Sequence, residues 1–405
     1  MLITGDELRY IFEKTVPFEP DGRLKPDEQR LTILAANANM PVEMFGRALV
    51  MAAANDKGSP LIIQMSYNAL KAAGGAQDSF RTITGTDRTK QPCPLVSGAQ
   101  IASYLIEEFT EHYAAEHVAL SLDHFKVPSM ECRTPSKSRS KKVARARIEE
   151  AADAAIPLLP EHEKPDGKML ERYVEYLCSE EYACFKRDFL QVVQFVEPAW
   201  GMIDTEKLPP VLNYAVTKEI ADAVREDLGN KQMMLEAEYG ATGESGGAIS
   251  YKRLEAGELD AFSKEVASFV KYTGADGIAY PIGMEHAARK HEAHEPDTQR
   301  LLEVQREILR VCGRYVPFAQ HGGTGAARLE RGLVGKNNVN TLFLVTGASS
   351  FADWVSEYRQ QISAGDKKAG GLDMYVEATL RIAEACVEKL KETGSFNAAS
   401  WLFNQ

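Results

Sequence analysis

The chain lacks a basic surplus, a paired-cysteine motif and any long apolar run. Its formal net charge is −11. A polyanionic nucleic acid would be repelled by such a protein rather than neutralised, so general nucleic-acid binding is excluded. Six cysteines are scattered without a CxxC pair. That spacing in a long chain reads as reduced thiols and not as a disulfide framework. No stretch of about 18 uncharged apolar residues is present to cross a membrane. The opening MLITGDELRYIFEK is amphipathic and carries acids, which fits neither a secretory signal nor a transit peptide. The expected location is the cytoplasm. One segment opposes the acidic trend: Arg133, Lys137, Arg139, Lys141, Lys142, Arg145 and Arg147 lie close together. It reads as a solvated face, with a basic arm beside an anionic ligand as the sharper possibility.

What the chain does have is a repeated alternation. Short β-like runs occur at residues 33–39, 60–66, 117–124, 200–204, 232–240, 276–283, 316–323 and 337–343. Between them lie segments with helical spacing of apolar residues, such as VEMFGRALVMAAANDKG and LPPVLNYAVTKEIADAVREDLGN. Eight alternating units predict an α/β fold, a closed (β/α)₈ barrel filling residues 1–405 as a single domain. A doubly wound open sheet is the competing architecture, but no glycine-rich fingerprint follows the first run. Two additions stand out. A long basic and helical insertion, residues 126–197, follows the third strand and includes KMLERYVEYLCSEEYACFKRDFLQVVQ as one expected helix. A helical extension covers residues 347–405.

In a parallel barrel the active site forms where the strands end at their carboxyl termini. Polar residues gather there: Asn37 and Asn39, Gln64 and Ser66, Asp123 and His124, Asp204, Glu236 and Glu238, His286, His321, Asn338 and Asn340. Three of the eight histidines, His124, His286 and His321, occupy such exits. Three imidazoles converging from different strands make a metal site with positions left for substrate oxygens. His291 and His294 are rivals in a polar segment. Asp123 directly precedes His124, and a chain that turns at the strand exit can bring both into one cavity. There a carboxylate can move a hydroxyl proton, or it can merely orient a histidine. Gly322, Gly323, Thr324 and Gly325 supply bare backbone N–H groups and a hydroxyl, close to an expected helix over AARLERGL. Such a nest suits an oxyanion, and Lys290 could add a positive charge.

Taken in order, AANANM, KGSPLIIQMS, ALSLDH, GMIDTE, MLEAEYGATGE, TGADGIAYPIGMEHAARK, VPFAQHGGTG and VGKNNVNT resemble the class II, metal-dependent fructose-bisphosphate aldolase family. The resemblance runs from residue 30 to 346, interrupted from Phe125 to Glu197. It implies that His124, His286 and His321 hold a divalent metal, zinc being the expected ion. That ion would polarise a ketone without a Schiff-base lysine. It implies that Asp123 exchanges the proton on the hydroxyl at the cleaved bond. Glu244, the one carboxylate in the loop ATGESGG, would return a proton to carbon. Gly322, Gly323, Thr324, Lys290 and Asn338 would surround a phosphate with Ser66 nearby, and Asn37 would meet the reacting end. Glu238 and Asp204 would be accessory positions near the metal or a monovalent cation. Asn340 stands where the family has a substrate-contacting aspartate, and Ala287 replaces a glycine.

The implied reaction is reversible cleavage of a ketose bisphosphate, first of all fructose 1,6-bisphosphate, to dihydroxyacetone phosphate and an aldehyde such as glyceraldehyde 3-phosphate. Alternatives left open are a tagatose-bisphosphate type of aldolase, a metal-dependent sugar epimerase and a non-catalytic sugar-phosphate binder. Members of the family are commonly dimers or larger homo-oligomers.

Overall fold

The computed structural model describes residues 1–55, 57–74, 94–131, 134–136, 139–240, 251–284 and 295–403. Eight strands close into one parallel barrel in sequence order: β1 Ile33–Asn37, β2 Leu61–Ser66, β3 Val118–Lys126, β4 Trp200–Asp204, β5 Met234–Glu238, β6 Gly277–Ala279, β7 Phe318–Gln320 and β8 Val334–Val339. β1 pairs with both β2 and β8, which shuts the sheet. The strands are buried nearly throughout, as parallel strands covered on both faces must be. Their side chains still alternate. On β3, Val118, Leu120 and Leu122 pack outward with the helices, while Ala119 packs inside the barrel.

The last strand differs from expectation. Residues 337–343 were the expected β8, but the strand runs Val334–Val339 and a helix starts at Thr341. Register with β1 explains the shift: Ile33 pairs with Lys336 and Ala36 with Val339. AARLERGL forms no helix; β8 follows through turns and a bridge between Arg331 and Val334. A segment that short nucleates poorly without packing. The single helix expected over residues 168–194 is two, Gly167–Leu177 and Glu180–Val196. Ser179 separates them and caps the second, its hydroxyl accepting from the Tyr182 N–H.

The amino end of the barrel is plugged. Helix Gly5–Lys14 inserts Leu8, Ile11 and Phe12 beneath Ile33, Ala35, Ile62, Ala119, Trp200 and Met234. The Phe12 and Trp200 rings stand 5.5 Å apart. The plug approaches so closely that a Cβ on Gly5 would collide with the Gln232 carbonyl. Gly277 likewise leaves room for the Trp200 ring.

The basic arm packs along the wall. Arg139 makes two bonds of 2.6 Å to Glu219, which also accepts from Lys186 at 3.1 Å. Arg147 reaches Asp222 at 2.9 Å. Helix Lys141–Ala155 is thereby fastened to helix Pro210–Asp222, which follows β4. Arg133 and Lys137 lie outside the described residues. No helix among the described residues is long and apolar enough to cross a membrane.

Candidate active site

At the carboxyl end of the barrel the interior turns polar. The turn begins at β3, where register with β4 shifts between Leu122 and Phe125 and His124 adopts φ +48°. A side chain in the left-handed region is held there at a cost of about 1–2 kcal/mol. The irregularity breaks strand alternation, so Asp123 and His124 both serve the same mouth. Asp123 is buried, with Oδ2 accepting from the Asn37 amide at 2.9 Å and Oδ1 from the Gln64 amide at 3.1 Å. These two amides fix the carboxylate from β1 and β2.

The histidines are oriented by carboxylates. His124 Nδ1 stands 3.3 Å from Asp204 Oδ2, and His321 Nε2 stands 2.9 Å from Glu236 Oε1. The Asn338 amide is 3.3 Å from the same His321 nitrogen. If each ring donates to its carboxylate, the other nitrogens, His124 Nε2 and His321 Nδ1, present lone pairs. Those two nitrogens face each other at 2.9 Å. Facing lone pairs repel unless a cation lies between them. On one tetrahedral zinc, with bonds of about 2.0–2.1 Å, two nitrogens stand about 3.3 Å apart, so a parting of tenths of an ångström admits a metal. The donor set fits a borderline divalent ion.

Without an ion, the charges favour a proton on His124 Nε2 donated to His321 Nδ1, and a divalent metal would displace that proton. Burial alone would lower the His124 pKa, but Asp123, Asp204 and Glu238 raise it to about 10. Burial dominates at His321 and, with His124 alongside, keeps its pKa below the usual value against the pull of Glu236. For Asp204, burial is opposed and outweighed by His124 and Lys126, which bring the pKa down to about 2. Glu236 is fully buried, which raises its pKa, yet Lys336 and His321 hold it well below the carboxylate range. Its Oε2 accepts from Lys336 Nζ and from Trp200 Nε1, each at 2.7 Å. Lys336 and Trp200 were not among the residues singled out in sequence, and Glu236 and Gln64 were noted only as polar strand-end groups. Lys336 lies one residue ahead of the expected run 337–343, so the sequence boundary hides a lysine that the observed strand buries.

Asp204, Glu206 and Glu238 bring carboxylate oxygens within 4.8 Å of one another, all buried. The structure therefore brings together Asn37, Asp123, His124, Asp204, Glu238, His321 and Asn338. The remaining expected residues fare differently. The Gly323 N–H donates to the Asn338 carbonyl and the Gly325 N–H to the Gly322 carbonyl. The glycine segment is thus a tight turn with one amide spent on closing it and another on β8. Thr324 Oγ1 accepts from the Leu342 N–H at 3.3 Å. With no helix over AARLERGL, a helix dipole does not reinforce this turn. Ser66 caps helix Tyr67–Ala73, accepting from the Ala69 N–H. Asn340 is exposed at the start of helix Thr341–Glu357. Glu244, His286 and Lys290, with His291 and His294, lie outside the described residues.

Comparison with known proteins follows this geometry. Residues 197–398 match the family described as fructose-bisphosphate aldolase class-II. No curated protein sequence matches the chain. A fructose-bisphosphate aldolase from Campylobacter jejuni, solved by crystallography, superposes with a TM-score of 0.60 at 17% identity, covering 98% of this chain and 96% of that one. The YdjI aldolase from Escherichia coli K12 gives 0.52 at 17% identity, covering 98% of this chain and 100% of that one. At such identity these structures speak for the fold, and the sequence match speaks for the family. On the match over residues 197–398, the chain belongs to the class II fructose-bisphosphate aldolase family and is a lyase of the aldolase type.

Proposed function

We propose that the protein is a zinc-dependent aldolase that reversibly cleaves a ketose bisphosphate, fructose 1,6-bisphosphate first of all, into dihydroxyacetone phosphate and glyceraldehyde 3-phosphate. The observation that carries this reading is the meeting of His124 Nε2 and His321 Nδ1 beside a buried Asp123. His124, His321 and, by family resemblance, His286 would hold the ion. When bound, that ion would supply Lewis-acid polarisation of the ketone carbonyl. Asp123, held by Asn37 and Gln64, takes the proton from the hydroxyl next to the bond that breaks. The hydroxyl oxygen becomes the aldehyde, and the bond's electron pair stays with the triose phosphate carbon. Glu244 returns a proton to that carbon. Asn338, Thr324 and the glycine turn, with Lys290, hold the phosphate, and Asn37 steadies the reacting end.

Glu238 and Asp204 support the metal from the wall, where a monovalent cation could also sit. The insertion at residues 126–197 packs along the wall against helix Pro210–Asp222, and the segment at residues 347–405 is a helical addition to the barrel. The same reading makes the protein a cytoplasmic homo-oligomer, testable by light scattering.

The experiment is to incubate metal-replete protein with a panel of ketose phosphates and follow triose phosphate release. Release from fructose 1,6-bisphosphate is expected. Release from tagatose bisphosphate alone would move the substrate. Interconversion of sugars with no triose phosphate would replace the aldolase reading with an epimerase, and binding without turnover would leave a sugar-phosphate binder.

A further inference from the structure

We propose that Lys126 is a specificity residue whose ammonium receives a phosphate on the aldehyde half of the substrate. This inference rests on the aldolase reading of the same site. Lys126 is the last residue of β3 and lies in register with Asp204 of β4. Its Nζ stands 3.6 Å from Asp204 Oδ2, while 52% of the side chain is open to solvent. The same Asp204 oxygen is 3.3 Å from His124 Nδ1. One buried carboxylate therefore ties the ammonium to the ring whose other nitrogen faces His321. A long flexible stem is placed beside the reacting centre by two contacts, and its outer side still meets solvent.

The barrel order gives the direction. In the closed ring β3 and β4 lie across from β7 and β8. The glycine turn and Asn338, the groups assigned to the triose phosphate, belong to the ends of β7 and β8. A ketose anchored there, with its reacting carbons between Asp123 and the histidine pair, extends its other half toward the β3–β4 rim.

Charge makes that rim selective. Asp123, Asp204, Glu206 and Glu238 all line the mouth and are buried. Their field repels an anionic tail and is indifferent to a neutral one. An ammonium on the exit side offsets the repulsion for a phosphorylated tail and offers a charge-assisted bond. Lys207, on the loop after β4, is more exposed and stands 3.9 Å from Glu206, a looser arrangement.

The test is condensation of dihydroxyacetone phosphate with glyceraldehyde 3-phosphate or with unphosphorylated glyceraldehyde, using metal-replete protein. For Lys126→Met, kcat/KM with the phosphorylated aldehyde is expected to fall about 10- to 100-fold. With glyceraldehyde it should change less than about threefold. Lys126→Arg should restore most of the loss, and metal content should not change in either variant. Equal losses on both aldehydes would show a residue that only positions Asp204 and would overturn the proposal, as would no loss on either. Should wild-type protein condense neither aldehyde, the aldolase reading itself fails. Calorimetric titration with inorganic phosphate then judges Lys126 separately: weaker binding by Lys126→Met supports an anion contact, and unchanged binding removes it.

Discussion

The two ends of the barrel interior are made by the same eight strands and differ in almost everything else. At the amino end, Phe12, Trp200, Met234, Ile33 and Ile62 fill the space with apolar volume. A few residues further along the same strands, Asp123, Asp204, Glu236, Glu238, His321 and Asn338 crowd the carboxyl end, all buried. Trp200 and Lys336 join the two: the indole packs below and donates upward to Glu236, and the ammonium lies 5.1 Å over the indole ring while bonding the same carboxylate. One end is built for stability. The other carries buried charge, which is retained only where it is paired and which lowers stability for the sake of a site.

If this division is correct, substitutions at the two ends should separate activity from stability. The largest effect belongs to Asp123→Ala, expected to lower kcat by about 10²- to 10⁴-fold. Its metal content should be preserved, as read by elemental analysis beside a steady-state assay. At the other end, Phe12→Ala should cost about 3–5 kcal/mol in chemical denaturation, with kcat of the remaining folded protein unchanged. Loss of activity in step with Asp123→Ala would break the comparison.

Glu236→Gln probes the layer between. It leaves the Lys336 ammonium buried without its countercharge, so a loss of about 3–5 kcal/mol is expected. It also removes the carboxylate that orients His321, so metal affinity should drop about 10- to 100-fold. A metal affinity equal to wild type would reduce Glu236 to a stabilising partner of Lys336.

A smaller, pH-dependent effect sharpens the contrast between buried glutamates. Glu236 has a cation and is held ionised, whereas Glu265, on helix Ala256–Thr273, is buried with a tyrosine. Burial first, and Glu163 after it, push the Glu265 pKa up to about 7 against the Tyr239 hydroxyl, which donates at 3.2 Å. A carboxyl whose folded pKa is raised contributes stability fully below its unfolded pKa and loses it as pH climbs through the folded value. Wild-type stability should therefore fall by about 3 kcal/mol from this group between pH 4.5 and pH 8. Glu265→Gln should remove that slope, measured by denaturant titration at both pH values. An identical slope in the variant would assign it elsewhere.

Much of this was legible in the sequence, for identifiable reasons. Eight short apolar runs separated by helical spacing gave the closed barrel, and exits such as Asp123-His124 and His321 stood out because histidine is scarce. The polar layer was harder. Glu236 and Lys336 are a hundred positions apart and meet only because a closed barrel lets β5 and β8 face each other across its interior. Gly323 and Gly325 carried bare amides in sequence, but the turn they form and β8 consume those amides. AARLERGL had helical composition but is too short to nucleate a helix without packing, and it runs as turns between β7 and β8. The basic arm had a charge pattern without a partner until Glu219 and Asp222 were seen beside Arg139 and Arg147.

The central claim is that His124 and His321 share a metal ion, and metal stoichiometry tests it most directly. Purified under mild conditions and exposed to zinc, the wild-type chain should hold a tightly bound divalent ion. His321→Ala, folded by circular dichroism, should lose it. Retention of the ion by that variant, or failure of the wild type to bind any, would contradict the account.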